Sequence, residues 1–113
     1  MNTKTIKTSD LIGPALDWAV AKCENTPGGV SRHCCYTWDV EGRVDYEPSS
    51  NWADGGPIIE RENIELRPLC PGTWRAIDMM GYWWNGPTPL IAAMRCYVAS
   101  KLGDEVDVPE ELT

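Results

Sequence analysis

The chain has 113 residues, 42% of them hydrophobic and 24% charged, with a net charge of −7. That length makes one domain, residues 1–113, with enough chain to bury a core. The negative balance argues against a general DNA or RNA binder, which needs Lys and Arg to displace counterions, and no run of about 18 apolar residues is present to span a membrane. Residues Met1–Lys7 carry no apolar signal core, so a cytosolic protein is expected. The five cysteines are Cys23, Cys34, Cys35, Cys70 and Cys96. An odd count with an adjacent pair suits no simple disulfide framework, and free thiols are expected. Six Trp and no Phe favour partly wet aromatic surfaces, because indole brings a donor with its apolar face, although several Trp are expected in the core.

In chain order, residues 3–7 alternate weakly and predict a short strand. Thr8 or Ser9 is expected to cap a helix with Asp10 in its first turn. The helix runs to about Cys23, its regular part beginning at Pro14, with Ile12, Leu16, Ala19, Val20 and Cys23 on one apolar face. Asn25-Thr-Pro-Gly-Gly29 ends it. Val30–Val40 reads as a strand, Glu41-Gly42 as a tight turn, and Arg43–Tyr46 as the returning strand of a hairpin.

Pro48–Arg61 reads as a structured loop with, at most, a helical turn begun at Ser50 or Asn51, anchored by Ile58 and Ile59. A short strand at Ile64–Leu66, a turn at Pro68–Gly72 and a strand at Thr73–Ile77 follow. Asp78–Pro87 reads as a loop. Its Met79, Met80, Tyr82, Trp83 and Trp84 are too apolar to stand in water, so it either folds back or meets a second subunit. The clearest helix begins at the cap Thr88 with Pro89 as its first residue and stops at Gly103. Leu90, Ile91, Met94, Tyr97, Val98 and Leu102 form its broad apolar face. The acids Asp104, Glu105, Asp107, Glu110 and Glu111 then read as a solvated tail. The expected architecture is α+β, two helices on a small antiparallel sheet.

Three segments read together resemble a known family: Ala15-Leu-Asp-Trp-Ala-Val-Ala-Lys22, Pro48-Ser-Ser-Asn-Trp-Ala-Asp-Gly-Gly-Pro-Ile-Ile-Glu-Arg61, and the run from Gly86 to Pro109. They are similar to the NinX family of small accessory proteins of lambdoid phages. The resemblance covers nearly the whole chain and is weakest over 24–47 and 78–85. It implies action in the host bacterial cytosol during infection and brings no catalytic residues with it. A helix, a short sheet and a Trp-x-x-Gly-Gly loop are also similar in outline to small phage proteins that sequester a nucleotide signal of host defence. That likeness is one of fold, which does not fix function.

Catalysis has no constellation behind it. His33 is the only histidine. It adjoins Cys34, and neighbours in a strand point to opposite faces. Zinc-like Cys spacing, a P-loop and G-x-G-x-x-G are all absent, so neither cofactor nor metal is expected. Binding of a small nucleotide-like anion has more support. Trp52 offers a stacking face, and Arg61 is a fork suited to phosphate. Ser49, Ser50 and Asn51 supply hydrogen bonds, and Gly55-Gly56 is expected to supply N–H groups in a nest. Arg95 interrupts an apolar helix, pairing either with Asp17 or with a ligand, and Thr88 adds donors at that helix start. A homo-oligomer through Met79, Tyr82, Trp83 and Trp84 is expected. The alternatives are a protein-interaction module directed at a host protein and a small nucleotide-acting enzyme.

Overall fold

The structure, a computed structural model, describes residues 3–25, 28–31, 34–39 and 42–113, with 28–44 described by backbone pairing alone. His33 and Glu41 lie outside the described residues, as do the side chains of Cys34 and Cys35. The first strand, β1 (Thr3–Lys7), is where alternation puts it. Thr8–Asp10 is not the start of the first helix but a separate 3₁₀ turn. The helix α1 (Gly13–Glu24) begins with Pro14 in its first turn and has no side-chain cap. Thr8 is fully buried and ties the start of the chain to its end. Its hydroxyl donates to the Gly103 carbonyl at 2.6 Å and its N–H to that of Asp104 at 2.7 Å.

Leu16, Ala19 and Val20 are buried as the helical spacing requires. Ile12 is instead 53% exposed and Leu11 takes its place in the core, because the helix starts one residue after Ile12. The expected long strand is two, β2 (Gly28–Ser31) and β3 (Cys34–Asp39), and β4 (Gly42–Asp45) returns beside β3 as the expected hairpin.

The largest departure is at 48–61. Residues Trp52–Arg61 form a helix, α2, that runs through Gly55, Gly56 and Pro57. The Asn51 side chain caps it by accepting from the Ala53 N–H at 2.9 Å. Burial outweighs the poor intrinsic propensity: Ile58 is 2% exposed and Ile59 packs against the core. Gly55 is required by space. A Cβ there would run into the Pro48 carbonyl oxygen and stand 2.7 Å from Leu90 Cδ2.

A three-stranded meander follows: β5 (Glu65–Cys70), β6 (Thr73–Ile77) and β7 (Trp83–Gly86), with β6 in the middle. Strand β5 is longer than Ile64–Leu66 suggests and absorbs Pro68 beside a register shift, on an edge strand where Pro is tolerated. Four residues of the expected 78–87 loop form strand β7. One face of the meander, with Leu66, Trp74, Ala76 and Trp84, lies on the core, while Arg67, Arg75, Trp83 and Asn85 alternate to the other.

The helix α3 (Pro89–Leu102) forms as predicted, with the Thr88 hydroxyl accepting from the Ile91 N–H at 3.1 Å. It packs against α1, α2 and the meander. Gly86 lets β7 touch it, since a Cβ there would stand 2.7 Å from the Ala92 nitrogen. The acidic tail is a strand, β8 (Glu105–Pro109), antiparallel to β1. Val106 and Val108 point into the core between the acids, which stay exposed. The class is α+β as expected, and among the described residues there is a third helix and the strands divide among three antiparallel sheets.

Candidate binding cleft at a sheet edge

The residues expected to form one site are spread over the molecule. Ser49 is 5% exposed and its N–H donates to the Asp17 carboxylate at 2.8 Å. Ser50 closes a turn to the Glu47 carbonyl, and Asn51 is spent on its cap. Trp52 is 54% exposed at the start of α2. Gly55 and Gly56 form no nest: they are helical, neither has a positive φ, and the Gly55 N–H bonds the Asn51 carbonyl at 2.9 Å. Nine residues of helix, a rise of about 13 Å, separate Trp52 from Arg61.

Arg61 ends α2 in a polar cluster that joins the three helices. Its two terminal nitrogens donate to the Glu24 carboxylate at 2.9 and 2.6 Å, and its Nε donates to Glu62 at 2.9 Å. Tyr97 Oη donates to Glu24 and accepts from Arg61 at 3.2 Å. The Arg61 hydrogen bonds hold the Glu24 carboxyl below its usual range. Burial, then the bond to Glu24, pushes the Tyr97 phenol up. A guanidinium answered twice by carboxylates has little left for a ligand.

Asp17 is not the partner of Arg95. Buried against Ser49, with Glu47 and Asp54 adding like charge, its carboxyl is pushed up to about 6, mainly by desolvation. Arg95 has other partners. Its Nε donates to the Leu11 carbonyl at 2.8 Å and its Nη1 to the Asn85 carbonyl at 2.9 Å. Arg95 is half-buried, and among the described residues it has no ion pair. Burial lowers its pKa, partly opposed by the charge of Asp10.

A cleft of about 570 Å³ opens beside this guanidinium, bounded by Ser9, Thr73, Trp83, Trp84, Gly86 and Arg95. It follows β7, which among the described strands pairs with β6 alone. A second hollow of about 350 Å³ shares Ser9 and Trp84 and reaches Lys7, Asp104 and Glu105. Arg75, on the neighbouring strand β6, reaches across to Trp83 and Asn85 on the outer face of β7. Its guanidinium is 3.9 Å from the Trp83 ring centre, its Nε donates to Asn85 Oδ1 at 3.1 Å, and it too has no ion pair among the described residues. Of the residues singled out in the sequence as ligand-binding, only Arg95 lines the cleft. Thr88, the cap of α3, lies close to the cleft in the chain without lining it. Trp83 and Trp84 read in the sequence as an oligomer surface, and Asn85 has no sequence signal at all.

Two of the described thiols, Cys23 and Cys96, are held away from the thiolate form. Cys96 is buried and pushed up to about 12 by desolvation, and Cys23 to about 11 for the same reason. Among the described residues no group of three or more His, Cys, Asp or Glu is placed to hold a metal, and no helix is long and apolar enough to cross a membrane.

Fold and cleft together define a small α+β protein with an arginine-lined cleft on a sheet edge. The family model described as Bacteriophage P22, NinX matches residues 7–101, and the chain belongs to that family of phage proteins. The match takes in every residue bounding the larger cleft and leaves β8 outside. No curated protein matches the chain.

Proposed function

We propose that this phage accessory protein acts by binding a small, planar, anionic molecule of nucleotide type in the cleft along β7, without turning it over. The observation that carries this reading is the state of Arg95. A half-buried guanidinium whose hydrogen-bond partners among the described residues are carbonyls, with Asp10 answering its charge only in part, is expensive unless an anion completes it. Among the described residues two of its five N–H groups are hydrogen-bonded, which leaves three for a phosphate or carboxylate. Trp83 and Trp84 supply aromatic faces on which a base can stack, and Ser9 and Thr73 supply hydroxyls. The absence of a catalytic set from the sequence suits sequestration in the host cytoplasm, where tight binding of a host nucleotide signal would serve counter-defence. A charged side chain already bonded to the edge strand discourages a further strand from pairing there, which favours a small ligand over an extended peptide.

Isothermal titration against cyclic and linear nucleotides tests the proposal. Binding that Arg95→Ala weakens by about tenfold or more, and that Arg61→Ala leaves nearly unchanged, is the expected result. Absence of binding across the panel, or binding indifferent to Arg95, overturns it.

A second reading rests on a different feature. The turn at 78–82 is fixed by Asp78, whose carboxylate accepts from the Met80 and Tyr82 N–H groups at 2.9 and 3.0 Å. It holds Met79, Met80 and Tyr82 64–81% exposed, beside Trp83 at 53%. An ordered apolar ridge of this kind suits a protein partner, whether a host protein or a second copy of the chain. A host protein retained by the wild type and lost with Met80→Ser and Trp83→Ser, with nucleotides inert, would favour it.

A further inference from the structure

The cleft straddles the free edge of β7. Trp83 and Trp84 both line it, yet successive residues of a strand send their side chains to opposite faces. Trp84 leaves toward α3 and Trp83 toward the outer face, so anything filling the cleft wraps the edge and meets both sides of the strand.

Arg95 from α3 lines the cleft, Arg75 from β6 reaches over the outer face of β7 beyond the lining, and the two share one residue. The Asn85 carbonyl accepts from Arg95, and the Asn85 side-chain oxygen accepts from Arg75. Arg61 and Arg67 both have carboxylate partners, to Glu24 and Glu62 and to Glu65 respectively, whereas Arg75 and Arg95 have none among the described residues. Among the described residues only Nε of Arg75 is hydrogen-bonded, which leaves its Nη1–Nη2 fork for a bidentate anion, while the Trp83 ring lies against the guanidinium.

Resting on the binding function proposed above, we infer that the ligand carries two separated anionic groups, one held by Arg95 inside the cleft and one by Arg75 across the strand edge, with a planar moiety against the tryptophans. A mononucleotide with a single phosphate would satisfy one arginine. Two phosphates on the same end of a molecule would compete for one fork. A bisphosphate whose groups are set apart can engage both.

Titration of the protein with the 5′-monophosphates, 5′-diphosphates and 3′,5′-bisphosphates of adenosine, guanosine, cytidine and uridine separates these cases. For the preferred base, the 3′,5′-bisphosphate is expected to bind about tenfold or more tightly than both others. Arg75→Ala is expected to erase that advantage while leaving the monophosphate within about twofold, and Arg95→Ala to weaken all three. An unchanged melting temperature for Arg75→Ala shows that the loss is one of contact rather than of fold, and Arg75→Lys, which keeps charge without the fork, is expected to recover part of it. Equal affinity for the mono- and bisphosphate, or an equal loss of both in Arg75→Ala, overturns the two-anion inference and leaves the binding function standing. No binding by any of the twelve compounds overturns both.

Discussion

Arg61 and Arg95 are the same side chain on two neighbouring helices, in opposite states. Arg61 closes a corner where α1, α2 and α3 meet, and its charge is answered by Glu24 and Glu62. Arg95 stands at the open edge of β7 and is answered by two carbonyls. The first arrangement sets charge against charge, and the second leaves the guanidinium without an ion pair among the described residues. An arginine isolated in a sequence therefore says little about binding until its partners are known, since a bidentate carboxylate turns the same fork into a structural tie.

The largest expected effect lies at Asp17, a second buried tie, which joins α1 to the turn before α2. The folded carboxyl is pushed up to about 6 from an ordinary 3.8 by burial, with Glu47 and Asp54 facing it and the Ser49 bonds pulling the other way. A folded acid that keeps its proton better than the unfolded one stabilises the fold in acid. The contribution is full below about pH 4 and is lost as pH rises through about 6. Asp17→Asn retains an acceptor for the Ser49 N–H and cannot ionise. It is expected to match the wild type near pH 4 and to exceed it by up to about 3 kcal/mol above pH 7. Denaturant unfolding at both pH values measures the difference, and a gap that stays constant between them would contradict the assignment.

The two adjacent glycines sharpen the same comparison at the level of backbone. Gly55 is wedged against Pro48 and Leu90, whereas a Cβ on Gly56 would meet nothing closer than Trp52 Cε3 at 3.9 Å. Gly55→Ala is expected to cost about 2 kcal/mol through overpacking. Gly56→Ala is expected to stabilise α2 by about 0.5–1 kcal/mol, because alanine loses less backbone freedom in a helix. Melting temperatures of the two variants should move in opposite directions. A common direction would mean that α2 is not tightly held at its middle.

These glycines also show what was legible. Gly55-Gly56-Pro57 reads as loop because each residue is a poor helix former, yet the Asn51 cap and the burial of Ile58 fix a helix that only the tertiary context supplies. The nest expected from the glycine pair disappears with the loop. In α3 every local signal agrees, from the Thr88 cap to Gly103, and that helix is where the sequence puts it. Strand β8 was hidden because Val106 and Val108 alternate with acids that dominate the composition of the tail. Arg95 could be singled out, since it breaks an apolar face. Its surroundings could not, because Leu11 and Asn85 reach it from 84 and 10 residues away, and no local pattern encodes a carbonyl partner at that distance.

The comparison between the two arginines can be broken by a pair of substitutions. Glu24→Gln removes the charge that Arg61 and Tyr97 share across three helices. Glu24 is only 18% exposed at its side chain but Arg61 is 50% exposed, so solvent screens the pair and the expected loss is about 1–2 kcal/mol. Arg95→Met keeps much of the length and the apolar stem of the side chain and releases two carbonyls beside an open cleft, where water can replace the guanidinium. Its expected cost is below about 1 kcal/mol, with the loss appearing in nucleotide affinity instead. Unfolding free energies and titrations of both variants give four numbers that must cross: Glu24→Gln less stable with binding intact, Arg95→Met stable with binding lost. If Arg95→Met is the more destabilised of the two and binds as before, Arg95 is a tie between Leu11 and β7, and the edge is as closed as the corner.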